Sequence, residues 1–373
     1  LGRVSMALTP TSIVQGELSQ ILIERLHLDI ERDAQGQWWV AGLALHDSTD
    51  TRLRDWVFSQ WEWALKDAEI RFVDQSTGAV PTVFSNIQAT LKNSLRSHQF
   101  RLDADPESGM GERFSARGDF RQPLLSTASG AWKTWSGQVY FEASSIDLAP
   151  WLAHFPVPNL RLQGTGWGRA WLDVQQGQWT GLTHDFEWHD AKMDGTLLGH
   201  EVHLPHFKQA RARLTWQGGR SESWSLSHAH LNPAEGPVWP LKQAELQFKR
   251  ASDGTMQGGL VRVDALDLQQ AKHLLPWAPN SVRERWAQAS PKGELRQFEL
   301  NWSGDFEHMQ IENWHMDVNQ LSWQSWASNP SPNSAAWPGV SGLSAQLHGN
   351  ATQAEGQVIV ANGEINGPGL WEQ

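Results

Sequence analysis

Cysteine is absent from this chain of 373 residues, which excludes disulfides, thiolate metal ligands and a cysteine nucleophile. Positive charge is also scarce, since 30 Lys and Arg stand against 41 Asp and Glu and the net charge is −11. That balance argues against a general affinity for nucleic acid or for anionic membranes. No run of about 18 apolar residues occurs, so no segment is predicted to cross a membrane as a helix.

Tyrosine occurs once, whereas tryptophan occurs 23 times. Tryptophan suits positions where one edge of the ring is apolar and the other is wet. The chain is too long for one ordinary compact core, which favours several domains or one repetitive body. No signal peptide is visible, and we interpret the chain as a segment of a longer protein.

Alternation of apolar and polar residues predicts strands in most of the chain. In FKQARARLTW, residues 207–216, Leu214 and Trp216 share one strand face, and Arg211 and Arg213 share the other. The same period places further apolar residues on one face of their strands: Val139 and Phe141, Leu246 and Phe248, Val261 and Val263, Phe298, Leu300 and Trp302, and Val358 and Val360. Each such strand should be buried on one side only.

Helical spacing is rare. The apolar residues of 51–59 predict one short helix, followed by a strand at 61–65. The alternation then changes phase, which predicts a turn at residues 66–67 and a new strand at 68–74 with Ile70 and Phe72 on its apolar face. Two more short helices are predicted after Asp147 and Asp267.

The sequence contains an internal repeat. QVYFEASSIDLAPWL, from Gln138, resembles LVRVDALDLQQAKHLL, from Leu260, and FSNIQATLKN resembles FKQARARLTW. A strand-rich unit of about 120–130 residues, used more than twice, is typical of an elongated array. We predict a first repeat at 1–160, a second at 161–290 and the beginning of a third at 291–373.

Residues that could carry chemistry are few. His200, His203 and His206 are the best metal candidates, but alternation sends His203 to the opposite face, so we expect no metal site. Asp103 and Asp105 precede a proline and a glycine loop, which favours turn capping over acid–base catalysis. GTGWG, 164–168, lacks the context of a phosphate loop and indicates a strand start with close backbone contact. We expect neither an enzyme nor a cofactor.

LRDWVFSQWEWALKDAEIRF (53–72) resembles the YhdP family of AsmA-like proteins, as do LKNSLRSHQFRLDADP (91–106), GERFSARGDF (111–120) and WSGQVYFEASSIDLAPWL (135–152). The resemblance implies a large envelope protein of bacteria with two membranes, held in the inner membrane by an N-terminal helix outside this chain. It implies an elongated, curved, U-shaped sheet, the repeating β-groove or β-taco, whose apolar inside carries phospholipid acyl chains through the periplasm. It also implies support of the outer-membrane permeability barrier.

The predicted fold is therefore all-β: a mainly antiparallel sheet forming an apolar groove, with a few short helices. The predicted lining comprises Ile70, Phe72, Val139, Phe141, Leu214, Trp216, Leu246, Phe248, Val261, Val263, Phe298, Leu300, Trp302, Val358 and Val360. Expected partners are phospholipid acyl chains and, through regions outside this chain, the two membranes. Envelope protein partners stay undefined.

Three alternatives are left open by the residues. The apolar faces could form a closed sandwich core that binds nothing. The chain could be a periplasmic scaffold or assembly factor that takes up a strand of an outer-membrane protein at its sheet edges. Exposed tryptophans such as Trp337 and Trp371 could instead bind carbohydrate.

Overall fold

The computed structural model describes residues 2–9, 18–45, 52–124, 126, 128–197, 200–278, 280–305, 308–327 and 336–367. The chain divides into two compact units, Leu1–Ala191 and Lys192–Gln373, here called unit 1 and unit 2.

Unit 1 is built from strands with three short helical segments. Its strands are β1 (Arg3–Ala7), β2 (Gln20–Glu24), β3 (His27–Arg32), β4 (Trp38–Val40), β5 (Leu43–Leu45), β6 (Glu62–Asp74), β7 (Thr82–Asn93), β8 (Ser97–Asp105), β9 (Phe114–Arg121), β10 (Ser136–Asp147), β11 (Leu160–Gln175) and most of β12 (Gln178–Leu197). Its helices are α1 (Arg52–Ser59), the 3₁₀ turn η1 (Trp132–Thr134) and α2 (Leu148–His154).

Unit 2 is likewise built from strands with three short helical segments. Its strands are β13 (His200–His203), β14 (Phe207–Gln217), β15 (Ser221–Pro233), β16 (Ala244–Arg250), β17 (Met256–Asp267), β18 (Lys292–Ser303), β19 (Gln310–Trp323), β20 (Trp326–Ala327), β21 (Ala336–Trp337), β22 (Gly339–Gly349) and β23 (Ala354–Asn366). Its helices are α3 (Leu268–Ala271), the 3₁₀ helix η2 (Lys272–Trp277) and α4 (Asn280–Ala289).

The strands of unit 1 form an antiparallel meander with a parallel edge. From β6 to β11, each strand pairs antiparallel with the next one in sequence. On its other side, β6 pairs in parallel with both β2 and β3. Strand β1 continues from β2, and β4 and β5 continue from β3, all antiparallel.

Unit 2 is antiparallel in every described pairing. Strands β14 to β19 form a second meander, which continues through β22 to β23. Strand β13 pairs with the last residues of β12, and β20 with β21 form a separate small ladder. Apart from β20 and β21, the described strands belong to one mixed 21-stranded sheet. The predicted all-β class, with a mainly antiparallel sheet and a few short helices, is confirmed.

The predicted turn at residues 66–67 is wrong. Strand β6 runs without interruption from Glu62 to Asp74, and its register with β7 shifts between Leu65 and Ala68. Asp67 adopts the left-handed conformation there, with φ 53°. An extra residue in a bulge reverses the alternation just as a turn would, so the phase change has a different cause from the one predicted.

The predicted helices are confirmed, and two of them have a side-chain N-cap. Helix α1 covers Arg52–Ser59, against the predicted 51–59. Asp147 accepts a hydrogen bond from the Ala149 N–H (3.1 Å) at the start of α2. Asp267 accepts from the Gln269 N–H (2.8 Å) and the Gln270 N–H (3.2 Å) at the start of α3. In both units a strand therefore ends at an aspartate that begins a short helix.

The glycines of GTGWG lie inside β11 rather than at its start. A Cβ at Gly166 would collide with the carbonyl oxygen of Glu187 on β12, so the predicted close backbone contact is confirmed. The predicted repeat boundaries stay a prediction. The two compact units are defined by contacts in the folded chain, so they do not test whether the sequence repeats.

Candidate functional site

One face of the sheet in unit 1 carries two complete rows of apolar cross-strand partners. The first row is Ile21, Trp63, Leu91, Phe100, Gly118, Val139 and Leu172, and the second is Ile23, Leu65, Ala89, Leu102, Ala116, Phe141 and Ala170. Apart from Ile21 and Gly118, every residue of both rows is half-buried. The core of a closed sandwich would bury such residues completely, so this face stays partly open.

The middle of this apolar face is a buried cluster with aromatic rings packed against it. Ala68, Ile87 and Ala104 form a fully buried cluster, and half-buried Phe84 and Phe114 pack against it. The two rings come from β7 and β9, and their centroids lie 6.1 Å apart on either side of the intervening β8.

Gly118 is needed for a close approach on the same face. A Cβ at this position would collide with the ring of Phe100 on the neighbouring strand. In unit 2, a Cβ at Gly259 would collide with the ring of Trp302 in the same way. An aromatic ring thus lies flat on a glycine in both units, which covers the backbone that the glycine exposes.

The opposite face of unit 1 is polar and is crossed by ion pairs. Arg101 Nε lies 2.7 Å from Asp103 Oδ2, and Arg113 Nη1 lies 2.8 Å from Asp105 Oδ1. Hydrogen bonds from Asn86 and Arg113 lower the pKa of Asp105 below its ordinary value. Ser115 Oγ of β9 donates to Asp103 Oδ1 (2.5 Å) and Asn86 Nδ2 of β7 donates to Asp105 Oδ2 (2.7 Å). Both aspartates therefore join neighbouring strands, and the turn-capping role predicted for them is wrong.

Helix α2 covers one end of the apolar face of unit 1. Trp151 Nε1 donates to the Met110 carbonyl oxygen (2.9 Å), which fixes the indole against Phe84 and Phe114. Beside it, the buried ring of Phe72 stacks between Trp38 and Phe155, with centroid distances of 5.8 and 5.5 Å. The predicted lining residue Phe72 is therefore part of a packed aromatic stack.

Helix α1 covers the opposite end. Phe58 packs edge-on against His98 (5.7 Å) and Trp135 (4.9 Å), and these two rings stack in parallel at 3.9 Å. His98 Nδ1 lies 2.8 Å from Asn93 Oδ1, and Asn93 Nδ2 donates to the Gln60 carbonyl oxygen (2.7 Å). Since the amide oxygen can only accept, His98 carries its proton on Nδ1.

Burial lowers the pKa of His98. The ring is therefore neutral at pH 7 and is tied to the segment that follows α1. Closure of this end depends on a buried polar group as well as on apolar packing.

Unit 2 has an apolar face of the same kind. Its rows are Leu214, Leu226, Ala244, Val263 and Phe298; then Trp216, Trp224, Leu246, Val261, Leu300 and Trp314; and then Leu266, Leu295, Val318, Ala345 and Val358. Every residue of the first two rows is half-buried. On the opposite face Arg262 lies 2.9 Å from both Glu245 and Glu299, which joins three strands.

The end of this face beside α3 is closed by aromatic packing. Trp239 is buried, and its ring lies 5.4 Å edge-on from Phe207 and 6.4 Å from His273 of η2. Gln270 Nε2 donates to the Pro237 carbonyl oxygen (3.0 Å), which ties α3 to the segment that carries Trp239.

The other end of the face in unit 2 holds a charged residue instead of a helix. Glu222 Oε1 accepts hydrogen bonds from the indole nitrogens of Trp216 (3.2 Å) and Trp224 (3.1 Å). Arg250 Nη2 lies 3.1 Å from Glu222 Oε2. Burial raises the pKa of Glu222, but the hydrogen bonds from Trp224, Arg250 and Trp216 outweigh it and leave the pKa lowered.

The predicted lining divides into three groups by exposure. The half-buried members are Ile70, Val139, Phe141, Leu214, Trp216, Leu246, Val261, Val263, Phe298 and Leu300. Phe72, Phe248 and Trp302 are buried and serve packing. Val358 and Val360 are exposed, because β23 pairs only with β22 among the described strands. The role of these residues in lipid binding stays a prediction.

Several residues of the apolar rows were missed by the sequence analysis. In unit 1 these include Trp63, Leu65, Leu91, Phe100 and Leu102. The signal was present, because Phe100 and Leu102 alternate with Gln99, Arg101 and Asp103 in β8.

The histidines singled out by the sequence do not converge. His203 Nδ1 lies 3.1 Å from Asp194 Oδ1, and a hydrogen bond to Asp194 raises the pKa of His203. In the part of the chain that the structure describes, no group of three or more His, Asp or Glu side chains could hold a metal ion. Trp337 is exposed and stacks on Trp326 at 5.7 Å, whereas Trp371 lies outside the described residues.

Within the described ranges, none of the helices has the length and apolar character needed to cross a membrane. Neither a curated protein nor a solved structure matches the chain. The family model described as YhdP protein matches residues 1–373 in full, and the chain belongs to the YhdP family.

Proposed function

We propose that the chain is a non-enzymatic segment of a phospholipid transporter that carries acyl chains between the membranes of a Gram-negative envelope. The observation that carries the proposal is the pair of apolar rows in each unit whose side chains remain half-buried. Membership of the YhdP family supports an envelope role. On this proposal the chain lies in the periplasm, and a region outside it provides the anchor in the inner membrane.

The energetics suit a carrier. Burial of one methylene group contributes about 0.8 kcal/mol, so a fatty acyl chain that contacts one row gains several kcal/mol. These contacts have no preferred direction and recur from strand to strand. A lipid can therefore be retained and still move along the rows from the inner towards the outer membrane, with its headgroup left in water. Such movement would support the outer-membrane permeability barrier.

Native mass spectrometry of the purified chain, with lipid extraction in parallel, tests the proposal. We expect co-purifying phospholipid, and at least about fivefold less of it in the Phe141→Asp and Leu300→Asp variants, since a carboxylate in an apolar row must be desolvated. Both positions are half-buried, so the fold should tolerate them better than it would tolerate a charge at buried Phe248.

Tyr140→Asp is the matched control, because Tyr140 is also half-buried on β10 but belongs to the opposite face. Equal lipid content in the Phe141→Asp and Tyr140→Asp variants would contradict the proposal, as would a folded chain that ignores added phospholipid.

A scaffold for outer-membrane proteins is the second candidate, and β23 favours it. Val358, Ile359 and Val360 are exposed on this strand, and unpaired apolar strand edges accept further strands. Ile359→Lys should block a client strand and, because Ile359 is not part of the predicted lining, leave the lipid content unchanged. Loss of a bound client in this variant, with no lipid found in the native chain, would favour the scaffold.

A further inference from the structure

One edge of unit 1 exposes large apolar side chains in a series of neighbouring connections. This edge lies where α1 packs, at the start of β6, β8 and β10. We define the α1 rim as its exposed apolar residues: Trp56, Trp61, Leu95, Leu124, Trp132 and Trp179. Leu95 is 95% exposed and Leu124 is 78% exposed, so neither takes part in packing the unit.

Hydrogen bonds between the connections hold the α1 rim together. The Asn93 N–H donates to the Trp61 carbonyl oxygen (2.8 Å), and Gln122 Nε2 donates to the Leu95 carbonyl oxygen (2.8 Å). The Gly130 N–H donates to Asp55 Oδ1 of α1 (2.8 Å). These bonds join the connection after β7 to Trp61, the end of β9 to Leu95, and the segment at Gly130 to α1.

The charge of these connections is opposite to that of the chain as a whole. Arg96, Arg121 and Lys133 lie in or beside them, against Asp55, which accepts the Gly130 N–H, and Glu62, which follows Trp61. Lys133 Nζ lies 5.6 Å over the Trp132 ring, where a cation and an indole attract each other. A locally positive edge can therefore attract anionic groups although the net charge of the chain is −11.

Protruding leucines, exposed indoles and nearby cations together match the interface of a phospholipid bilayer. Indoles favour the level of the headgroups, apolar tips enter the acyl boundary, and Lys and Arg pair with anionic lipids. A protein interface would instead centre on one flat, contiguous apolar patch, whereas these residues protrude from separate connections. We propose that the α1 rim is a membrane-contact surface that rests on anionic phospholipid bilayers.

Co-flotation of the 373-residue chain with vesicles tests this. The vesicles are a phosphatidylglycerol and phosphatidylethanolamine mixture, with pure phosphatidylcholine vesicles for comparison. We expect flotation with the anionic mixture, weaker flotation with phosphatidylcholine, and at least about tenfold weaker partitioning for Leu95→Ser with Leu124→Ser, since two exposed leucines no longer enter the bilayer. Arg96→Gln with Lys133→Gln should remove most of the salt dependence.

Val80→Ser with Ile365→Ser is the matched control. Both residues are at least as exposed as the indoles of the rim, but Val80 lies in the connection from β6 to β7, at the opposite strand end, and Ile365 lies on β23. This control should float within about twofold of the native chain. Circular dichroism confirms that all variants fold.

Equal weakening by the rim and control pairs would overturn the proposal, as would a native chain that does not float with anionic vesicles. A native dimer that the rim variant dissociates, without flotation, would assign the rim to a protein contact instead. The Phe141→Asp variant should lose lipid content but keep flotation, so failure of the transport proposal and failure of the membrane contact are distinguishable.

Discussion

Units 1 and 2 present the same kind of apolar face but finish its ends differently. In unit 1 a helix packs at each end, α1 against His98 and Trp135 and α2 against Phe84 and Phe114. In unit 2 a short helix and η2 close the end beside Trp239. At its other end the described residues contain no helix, and Glu222 joins two indoles to Arg250 there.

The difference shows what the helices are for. The strands of unit 2 pair over their full length beside Glu222 without a helix, so α1 is not needed to hold a meander together. Its contribution in unit 1 is to cover aromatic and polar side chains that would otherwise face water. The two ends should consequently respond differently to mutation and to pH.

The largest expected effect on the free energy of unfolding comes from substitutions within the apolar face of each unit. Ile87→Ala removes a fully buried side chain from the cluster of unit 1 and should lower the free energy of unfolding by about 2–4 kcal/mol. Leu214→Ala in unit 2 should cost about half as much, since Leu214 is already half-exposed to water. Urea titration of each variant measures both.

Ile359→Ala serves as the control for these core variants, because Ile359 is exposed on β23. It should stay within about 0.5 kcal/mol of the native chain. If Ile87→Ala cost no more than this control, the buried cluster would not be the centre of unit 1.

A smaller effect is expected at the end of unit 2 that lacks a helix. Glu222→Ala leaves two indole N–H groups and Arg250 without their acceptor and should cost about 1–2 kcal/mol, reduced by the partial exposure of the site. Glu222→Gln should cost less, since its amide oxygen still accepts. Urea titration followed by tryptophan fluorescence measures both variants.

The pKa of Glu222 is lowered in the folded chain, so its contribution is present above the ordinary glutamate pKa and is lost as pH falls through the folded value. The difference between the native chain and Glu222→Gln should therefore shrink below pH 4. A difference that stays constant as the pH falls below 4 would mean that the carboxylate does not stabilise this end.

The smallest effect is expected from mild acidification of unit 1. The pKa of His98 is lowered by burial, so its contribution is complete above about pH 6.5 and is lost as pH falls towards the folded value. At pH 6 a smaller fraction of the rings is protonated than for a histidine with an ordinary pKa, so amide exchange around α1 should rise only modestly. Hydrogen exchange with mass spectrometry resolves α1 from unit 2.

His98→Gln removes the titrating ring and should make exchange at α1 insensitive to pH between 7 and 5, after correction for intrinsic exchange. An unchanged pH response in this variant would move the cause to another group, such as His184, whose pKa is also lowered by burial.

The sequence predicted local structure well where one rule decided it. Alternation in FKQARARLTW identified β14 within one residue, and Asp147 and Asp267 marked two helix starts. Alternation also predicted much of the apolar face, because the direction of a side chain on a strand follows directly from its position in the alternating sequence. The bulge at Asp67 was misread as a turn, since both change the phase of alternation and only hydrogen bonding tells them apart.

Features that depend on residues far apart in the sequence could not be predicted from it. No pattern in β2 or β3 shows that both strands pair in parallel with β6 across α1. The environment of His98 depends on Phe58, Asn93 and Trp135, which alternation cannot bring together. The exposure of Val358 and Val360 depends on the position of β23 beside a single partner, although their face was predicted from spacing.

The local order of the meander has a consequence for how the chain is made. From β6 to β11 and from β14 to β19, each strand pairs with the strand just before it in the sequence, so these pairings are local. Strands can then be added one by one as the chain emerges from a ribosome or a translocation pore. Strands β2 and β3 must wait longer for their pairing with β6, which is synthesised after them.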